Sequence, residues 1–346
     1  MPDVAPLLVA RGRMWEAMEP RPPRRDLVYG RNLTWRTNSE ELEALLADTL
    51  VARWRALGVP HAGPDVSASA FVVPADFMEG GAASDGTVAP PFTDVVHPHI
   101  GYQIVGRNGF GGCSWDRLTA MSCISDAADM PEMVDRIIQH VWGAAVMLHP
   151  PLYGMHAAAA TAPDGTAGLF IGDSGAGKSS LVTGLALRHG FGYLTDDFAM
   201  LDGRSLRVYG RPWRLELRAG ALREFWPHGT PPGMSVGDKT VLDAREHVAV
   251  GASAPVVALF FVRRGDRTAL TPLAAEDTRR HLGKPVSMFV HCDDVTRGYA
   301  GAFDALATAS AGHALTLDHD LGIAHAVAIV ADAMASLPGA AASQRA

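Results

Sequence analysis

Apolar residues recur at helical spacing in "SEELEALLADTLVARWRALG" (39–58), where Leu42, Leu45, Leu46, Leu50 and Trp54 fall on one side. That period predicts a helix. Asn38, with Glu41 three residues on, is read as its start, and Gly58 as its stop. "PEMVDRIIQHVWGAAVML" (131–148) repeats the pattern, with Pro131 in its first turn. Between them, 72–91 is rich in small residues and turn formers and reads as a loop or linker. "TDVVHPHIGYQIVGR" alternates as two short strands, and "PRPPRR" (20–25) as a stiff, extended surface segment. Residues 1–148 therefore read as an α/β accessory region without a chemical motif.

The pattern changes after Pro151. "LYGMHAAAATA" reads as one strand, "PDG" (163–165) as a turn and "TAGLFIG" (166–172) as a second strand, making a hairpin. "SSLVTGLALRHG" (179–190) reads as a helix with Leu181, Val182, Leu185 and Ala186 on one side and Gly190 as its stop. "FGYLTDDFAML" (191–201) returns as one buried strand ending in two acids. "RVYGRPWRLELR" (207–218), "PVVALFFVRR" (255–264) and "HALTLDH" (313–319) read as further strands, and "LGIAHAVAIVADAMASL" (321–337) as a closing helix. The expected domains are 1–148, 149–338 and a disordered alanine-rich tail, 339–346. No internal repeat is visible.

Composition adds limits. With 48% apolar and 19% charged residues, the chain can pack a core. A net charge of −7 leaves no basic footprint for nucleic acid. Arginine far outnumbers lysine, found only at 178, 239 and 284; beside abundant Ala, Gly and Pro this most simply reflects a GC-rich genome, so arginine abundance alone is no evidence of anion binding. Cys113, Cys123 and Cys292 are odd in number and match no zinc spacing, as expected of thiols in a reducing cytosol. The first 25 residues lack a basic start followed by a long apolar run, so no secretory signal is expected there. No apolar run approaches the ~18 residues of a membrane span. A cytoplasmic protein with no membrane partner is expected.

"IGDSGAGKSS" (171–180) carries the spacing G-x-x-x-x-G-K-[ST] between an expected strand and an expected helix. Glycines at 172, 175 and 177 free backbone N–H groups to turn around phosphate oxygens, and the helix N-terminus adds partial positive charge. Asp173, Ser174, Ala176 and Ser180 complete the loop. Lys178 is placed to reach the β- and γ-phosphates, and the Ser179 hydroxyl to ligate Mg²⁺. A strand beside the loop strand would bring Asp196 and Asp197 to the same sheet edge. There one acid would support Mg²⁺ and the other would accept a hydroxyl proton; strand alternation favours Asp197 as the base and Asp196 at the metal, but the sequence does not separate the two. Arg211, Arg214 and Arg218 are a secondary set, of which Arg214 and Arg218 alternate with Trp213, Leu215 and Leu217. "HCDD" (291–294) does not make a complete metal site.

"GMHAAAATA…GLFIGDSGAGKSSL…GYLTDDFAML" resembles the core of HPr kinase/phosphorylase and its relatives, a family sharing a P-loop fold with phosphoenolpyruvate carboxykinase. His156 matches the family's histidine before the loop, 172–179 its loop, and Asp196-Asp197 its acid pair. The strong likeness covers roughly 152–201; a weaker one runs through "GRPWRLELR" and "VALFFVRRGDRTALTPL". HPr kinase proper carries Glu directly after the loop serine, where this chain has Ser180. The likeness is accordingly to the divergent relatives, which include kinases acting on peptides in natural-product pathways. The resemblance implies an α/β P-loop mixed sheet of the phosphoenolpyruvate carboxykinase/HPr kinase type. It further implies ATP and Mg²⁺ as cofactors, a role for His156 in hydrogen-bonding the acid pair or a phosphate, and a peptide or protein substrate carrying a hydroxyl, and it suggests a homo-oligomer. The resulting expectation is a kinase transferring the γ-phosphate of ATP to a serine hydroxyl. A small-molecule kinase, a nucleotide hydrolase and a non-catalytic nucleotide-responsive module stay open beside it.

Overall fold

The structure is a computed structural model describing residues 20–59, 64–74, 92–97, 101–106, 108–114, 118–147, 151–211, 213–236, 238–282, 293–318 and 322–337. Most of the expected 72–91 linker, the 339–346 tail and the side chains of "HCDD" lie outside the described residues. The chain divides into two compact units, Met1–His149 and Pro150–Ala346, each a mixture of helices and mixed sheets.

The first unit holds strands β1 (Arg24–Val28), β2 (Arg31–Thr37), β3 (Val66–Val73), β4 (Phe92–His97), β5 (Gly101–Gly106), β6 (Gly109–Ser114) and β7 (Thr119–Ser125). They form a sheet in the order β1-β2-β3-β7-β6-β5-β4, with β3 parallel to β2 and β7 and the other pairs antiparallel. Helix α1, over 40–56, has a π-wound middle turn, Leu46–Val51. Its start differs from the sequence reading. Ser39 is the cap, its hydroxyl accepting from Leu42 N, while Asn38 bonds the backbone of Val72 in both directions. A cross-strand partner outcompetes the local cap. Gly58 does stop the helix, at φ +62°. Helix α2, over 130–147, is capped by Asp129 and sits close on β6. A Cβ on Gly109 would meet Ile137 Cδ1 at 2.6 Å, and one on Gly111 would meet Val141 Cγ2 at 2.8 Å.

The second unit begins with β8 (Leu152–Met155), β9 (Ala157–Thr161), β10 (Ala167–Ile171), α3 (Lys178–His189), β11 (Gly192–Thr195), β12 (Ala199–Asp202) and β13 (Arg207–Tyr209). Then come β14 (Leu215–Arg218), α4 (Ala219–Phe225), β15 (Met234–Val236), β16 (Lys239–Leu242), β17 (Ser253–Gly265), β18 (Ala269–Leu273), α5 (Ala275–Leu282), α6 (Asp293–Ala309), β19 (Ala311–Asp318) and α7 (Ala324–Ser336). The main sheet runs β11-β9-β10-β17-β13-β12-β8, and β19 joins β17 to β18. A smaller sheet runs β14-β16-β15.

Apolar side chains alternate between two cores, so the main sheet is covered on both faces. Ala158, Ala160 and Phe170 pack with Leu181 and Leu185 of α3 and Val327 of α7 on one side. Ala157, Ala159, Leu169 and Ile171 pack with Tyr299 and Leu306 of α6 on the other. Burial on both faces gives the near-continuous apolar runs seen in the sequence.

Three expected strands are each two strands. The 152–162 run breaks at His156: β8 pairs with β12, β9 with β10 and β11. The 191–201 run breaks at the acids into β11 and β12. The 207–218 run splits into β13 and β14, in different sheets. At that crossing a Cβ on Gly210 would lie 2.0 Å from Leu194 O, so the chain passes too close for a side chain. A change of neighbour inside an apolar run leaves no mark on periodicity, which reports burial and not pairing. The expected β9–β10 hairpin and the α3 helix with its Gly190 stop are present.

Candidate functional site

The loop at 172–177 leaves β10 pressed against β17. A Cβ on Gly172 would lie 2.3 Å from Val262 O, so no other residue fits without moving backbone. Gly177 has φ +109°, a conformation costly for L side chains, and a Cβ there would meet Leu317 Cδ1 at 2.7 Å. The turn delivers the chain into α3 with its main-chain donors uncommitted. Ala176 N–H bonds Asp173 O at 3.1 Å and Leu181 N–H bonds Gly177 O at 3.0 Å. No described residue accepts from the N–H groups of Ser174, Gly175, Gly177, Lys178, Ser179 or Ser180. A run of such donors at a helix start suits an anion with several oxygens.

The acids reach this loop by register, although not as nearest neighbours. β9 lies between β10 and β11 and is antiparallel to both, so β10 and β11 point the same way. The expected direct adjacency is corrected, but the shared edge stands. The same register pairs Ala157 with Ile171, which sets His156 beside the loop's start.

Lys178, 5% exposed, spends its three ammonium protons on Gly172 O (2.7 Å), Asp173 O (3.1 Å) and His156 Nε2 (3.2 Å). Because Nε2 accepts, Nδ1 carries the ring proton, and it faces Asp197 Oδ1 at 3.1 Å. Lysine, histidine and aspartate thus form one connected line. Arg211 Nη2 stands 3.8 Å from the other oxygen, Asp197 Oδ2. Burial lowers the Lys178 ammonium, against the opposing pull of Asp197.

The two acids sit in opposite environments. Burial alone would raise the Asp197 carboxyl, but the His156 hydrogen bond and the Arg211 charge outweigh it and hold it well below the usual range. Asp196 is only 3% exposed, and its Oδ2 accepts from Glu216 N at 2.6 Å. Burial, then the nearby Glu216 charge, push its carboxyl up to about 7. Adjacent acids driven apart in this way are suited to different tasks.

A cleft of about 420 Å³ joins these groups, a volume ordinary for a ligand site. Among its lining residues are Ser174, Gly175, Gly177, Lys178, Ser179, Ser180, Asp196 and Asp197. Of the secondary arginines, Arg214 is committed to Glu216 Oε1 at 2.5 Å, Arg211 serves Asp197, and Arg218 lines the cleft while pairing with Asp238 at 2.8 Å. Glu216, Lys239, Arg264 and Glu224 also line it, and no local motif singles them out. Lys239 Nζ bonds Glu216 Oε2 at 2.9 Å, so that buried carboxylate is held from two sides. Burial would raise Glu216, but Arg214 and Lys239 bring it below its ordinary value.

Among the described residues no cluster of metal-ligating side chains appears, and no helix is long and apolar enough to cross a membrane. No family model and no curated protein matches this chain.

Proposed function

We propose that the second unit is an ATP-dependent kinase that transfers the γ-phosphate to a hydroxyl, that of a serine in a peptide or protein. The observation that carries this reading is the line Lys178–His156–Asp197, which ties the glycine loop to a carboxylate at the same sheet edge. A triphosphate fits the uncommitted N–H groups of the loop and the charge of Lys178. The order β9, β10, glycine loop, α3, with the acids after β11, favours a P-loop fold of the phosphoenolpyruvate carboxykinase/HPr kinase type. The resemblance around 152–201 points the same way.

Mg²⁺ fits an oxygen donor set of the Ser179 hydroxyl and the Asp196 carboxylate, and when bound it would neutralise charge on the phosphate oxygens. Asp197 takes the proton of the acceptor hydroxyl as the oxygen–phosphorus bond forms and the bond from γ-phosphorus to the bridging oxygen breaks, leaving ADP. His156 and Arg211 orient that carboxylate and keep it ionised. One observation favours exchanging the acids' roles. A carboxyl near 7 is better matched to proton transfer at neutral pH than one held low, which recommends Asp196 as the base.

The test is incubation of the full chain with γ-labelled ATP and peptides or proteins encoded beside it, with and without EDTA. Label transferred to a serine, lost on chelation and restored by Mg²⁺, is the expected result. Free phosphate with every acceptor would make the chain a hydrolase, and binding without turnover a nucleotide-responsive module.

A further inference from the structure

We propose that the end of the cleft remote from the acids is a nucleobase site, in which Glu224 reads the exocyclic amine of adenine. The proposal rests on the reading of the glycine loop as a triphosphate binder. With the transferred phosphate directed at Asp196 and Asp197, the nucleoside must leave the loop in the other direction. One wall of the cleft starts at the acids, where Glu216 N of β14 bonds Asp196, and continues past the loop at Arg218 into α4. Arg218, at the end of β14, is close to the loop: its Nη1 would be 3.3 Å from a Cβ on Gly175. Glu224 lies six residues further, about 9 Å along a helix axis at 1.5 Å per residue. It meets the opposite wall there, with Oε1 accepting from Ile323 N at 3.1 Å.

The local surface suits a flat ring. Gly220, Ala221, Gly322 and Ile323 line the cleft around Glu224. A Cβ on Gly220 would meet nothing within 4 Å, so open space faces this part of α4. The Ile323 side chain is buried and supplies apolar contact. Glu224 Oε1 is committed to Ile323, with Arg188 Nη1 at 3.6 Å from the same oxygen. Oε2 has no hydrogen-bond partner among the described residues. An ionised carboxylate only accepts hydrogen bonds. Adenine offers it a donor, the N6 amine. Hypoxanthine, the base of inosine triphosphate, puts a carbonyl oxygen at the same position, and two acceptors facing each other repel.

The experiment is calorimetric titration of the full chain with Mg²⁺ and ATP, inosine triphosphate, GTP or inorganic tripolyphosphate, on wild type and Glu224→Gln. Wild type should bind ATP about tenfold or more tightly than inosine triphosphate, the scale of one hydrogen bond to a charged group. Glutamine keeps an acceptor for Ile323 and gains a donor for the carbonyl, so the preference should vanish or invert. Unchanged tripolyphosphate affinity in the variant would report an intact loop. Equal affinities for ATP and inosine triphosphate in wild type, a preference for GTP, or an ATP preference that survives Glu224→Gln would each overturn the base site alone. No binding of any of these compounds, tripolyphosphate included, would overturn the triphosphate reading and the base site with it.

Discussion

Both units use glycine to bring elements close, to opposite ends. In the first, Gly109 and Gly111 of β6 make room for Ile137 and Val141 of α2, and the space is filled by apolar packing. In the second, the glycines at 175 and 177 hold a turn in left-handed backbone, and what they make available is a set of N–H groups. Buried charge differs in the same sense. Arg31 on β2 is buried in the first unit, and burial lowers its guanidinium to about 10. The second unit buries Lys178, Asp196 and Glu216 around one cleft. Burying an ionisable group opposes folding unless its partners compensate, so three at one place make this cleft the candidate for chemistry. The first unit uses its close approaches for apolar packing, and the second gathers its buried charges around a cleft.

The sharpest way to break this contrast is at the acids. Asp197→Asn keeps the shape but cannot take a proton, and should lower single-turnover transfer by about 10²–10⁴-fold with ATP affinity nearly intact. Asp196→Asn should instead raise the Mg²⁺ concentration needed. If the fall in rate appears in Asp196→Asn and the metal effect in Asp197→Asn, the roles exchange. Wild-type transfer rates in both would make the pair structural.

Next in size is Lys178→Ala. On the kinase reading it removes a charge from the proposed phosphate site, and loss of one such group costs about 10²–10³-fold in rate. Because burial already disfavours this ammonium, the fold should survive, with an unchanged circular dichroism spectrum. Full ATP turnover by a folded variant would remove the loop from the mechanism.

The matching change in the first unit is Gly111→Val. Its Cβ would meet Val141 Cγ2 at 2.8 Å and Ser122 Oγ at 2.9 Å, with Met121 O at 3.0 Å. Overpacking of this kind should cost about 3 kcal/mol in chemical denaturation. ATP affinity at low denaturant should not change. A loss of affinity would mean that the first unit contributes to the site.

The site was half legible in the sequence. The loop, α3 and the acid pair are local in the chain, and each carries its own signal: glycine spacing, helical period, consecutive aspartates. Glu216, Lys239, Arg264 and Glu224 reach the cleft from separate elements, and a lone charged residue on a short strand or helix looks like any solvated one. His156 was marked only by resemblance, because a break between two strands inside "YGMHAAAAT" alters pairing and not hydropathy. Arg214 looked available for phosphate until Glu216, two positions away on the same face, proved to hold it.

The smallest expected effect tests the cost of the buried acid directly. Asp196 has a folded carboxyl near 7 against an ordinary value of 3.8, so the folded state holds this proton more tightly than the unfolded chain. Its linkage term is then most favourable to folding below about pH 4, is lost progressively as pH rises toward 7, and is constant above that. Asp196→Asn cannot ionise, and its amide oxygen can still accept from Glu216 N. In metal-free buffer the variant should match wild type near pH 4 and exceed it by about 2 kcal/mol at pH 8. That is below the full shift at ~1.4 kcal/mol per unit, because the carboxyl is coupled to Glu216 and Asp197. Unfolding curves at pH 4, 6 and 8 measure the gap. A gap that does not widen with pH would show that Asp196 ionises in the fold as easily as in water, and that the cleft exacts no stability for its chemistry.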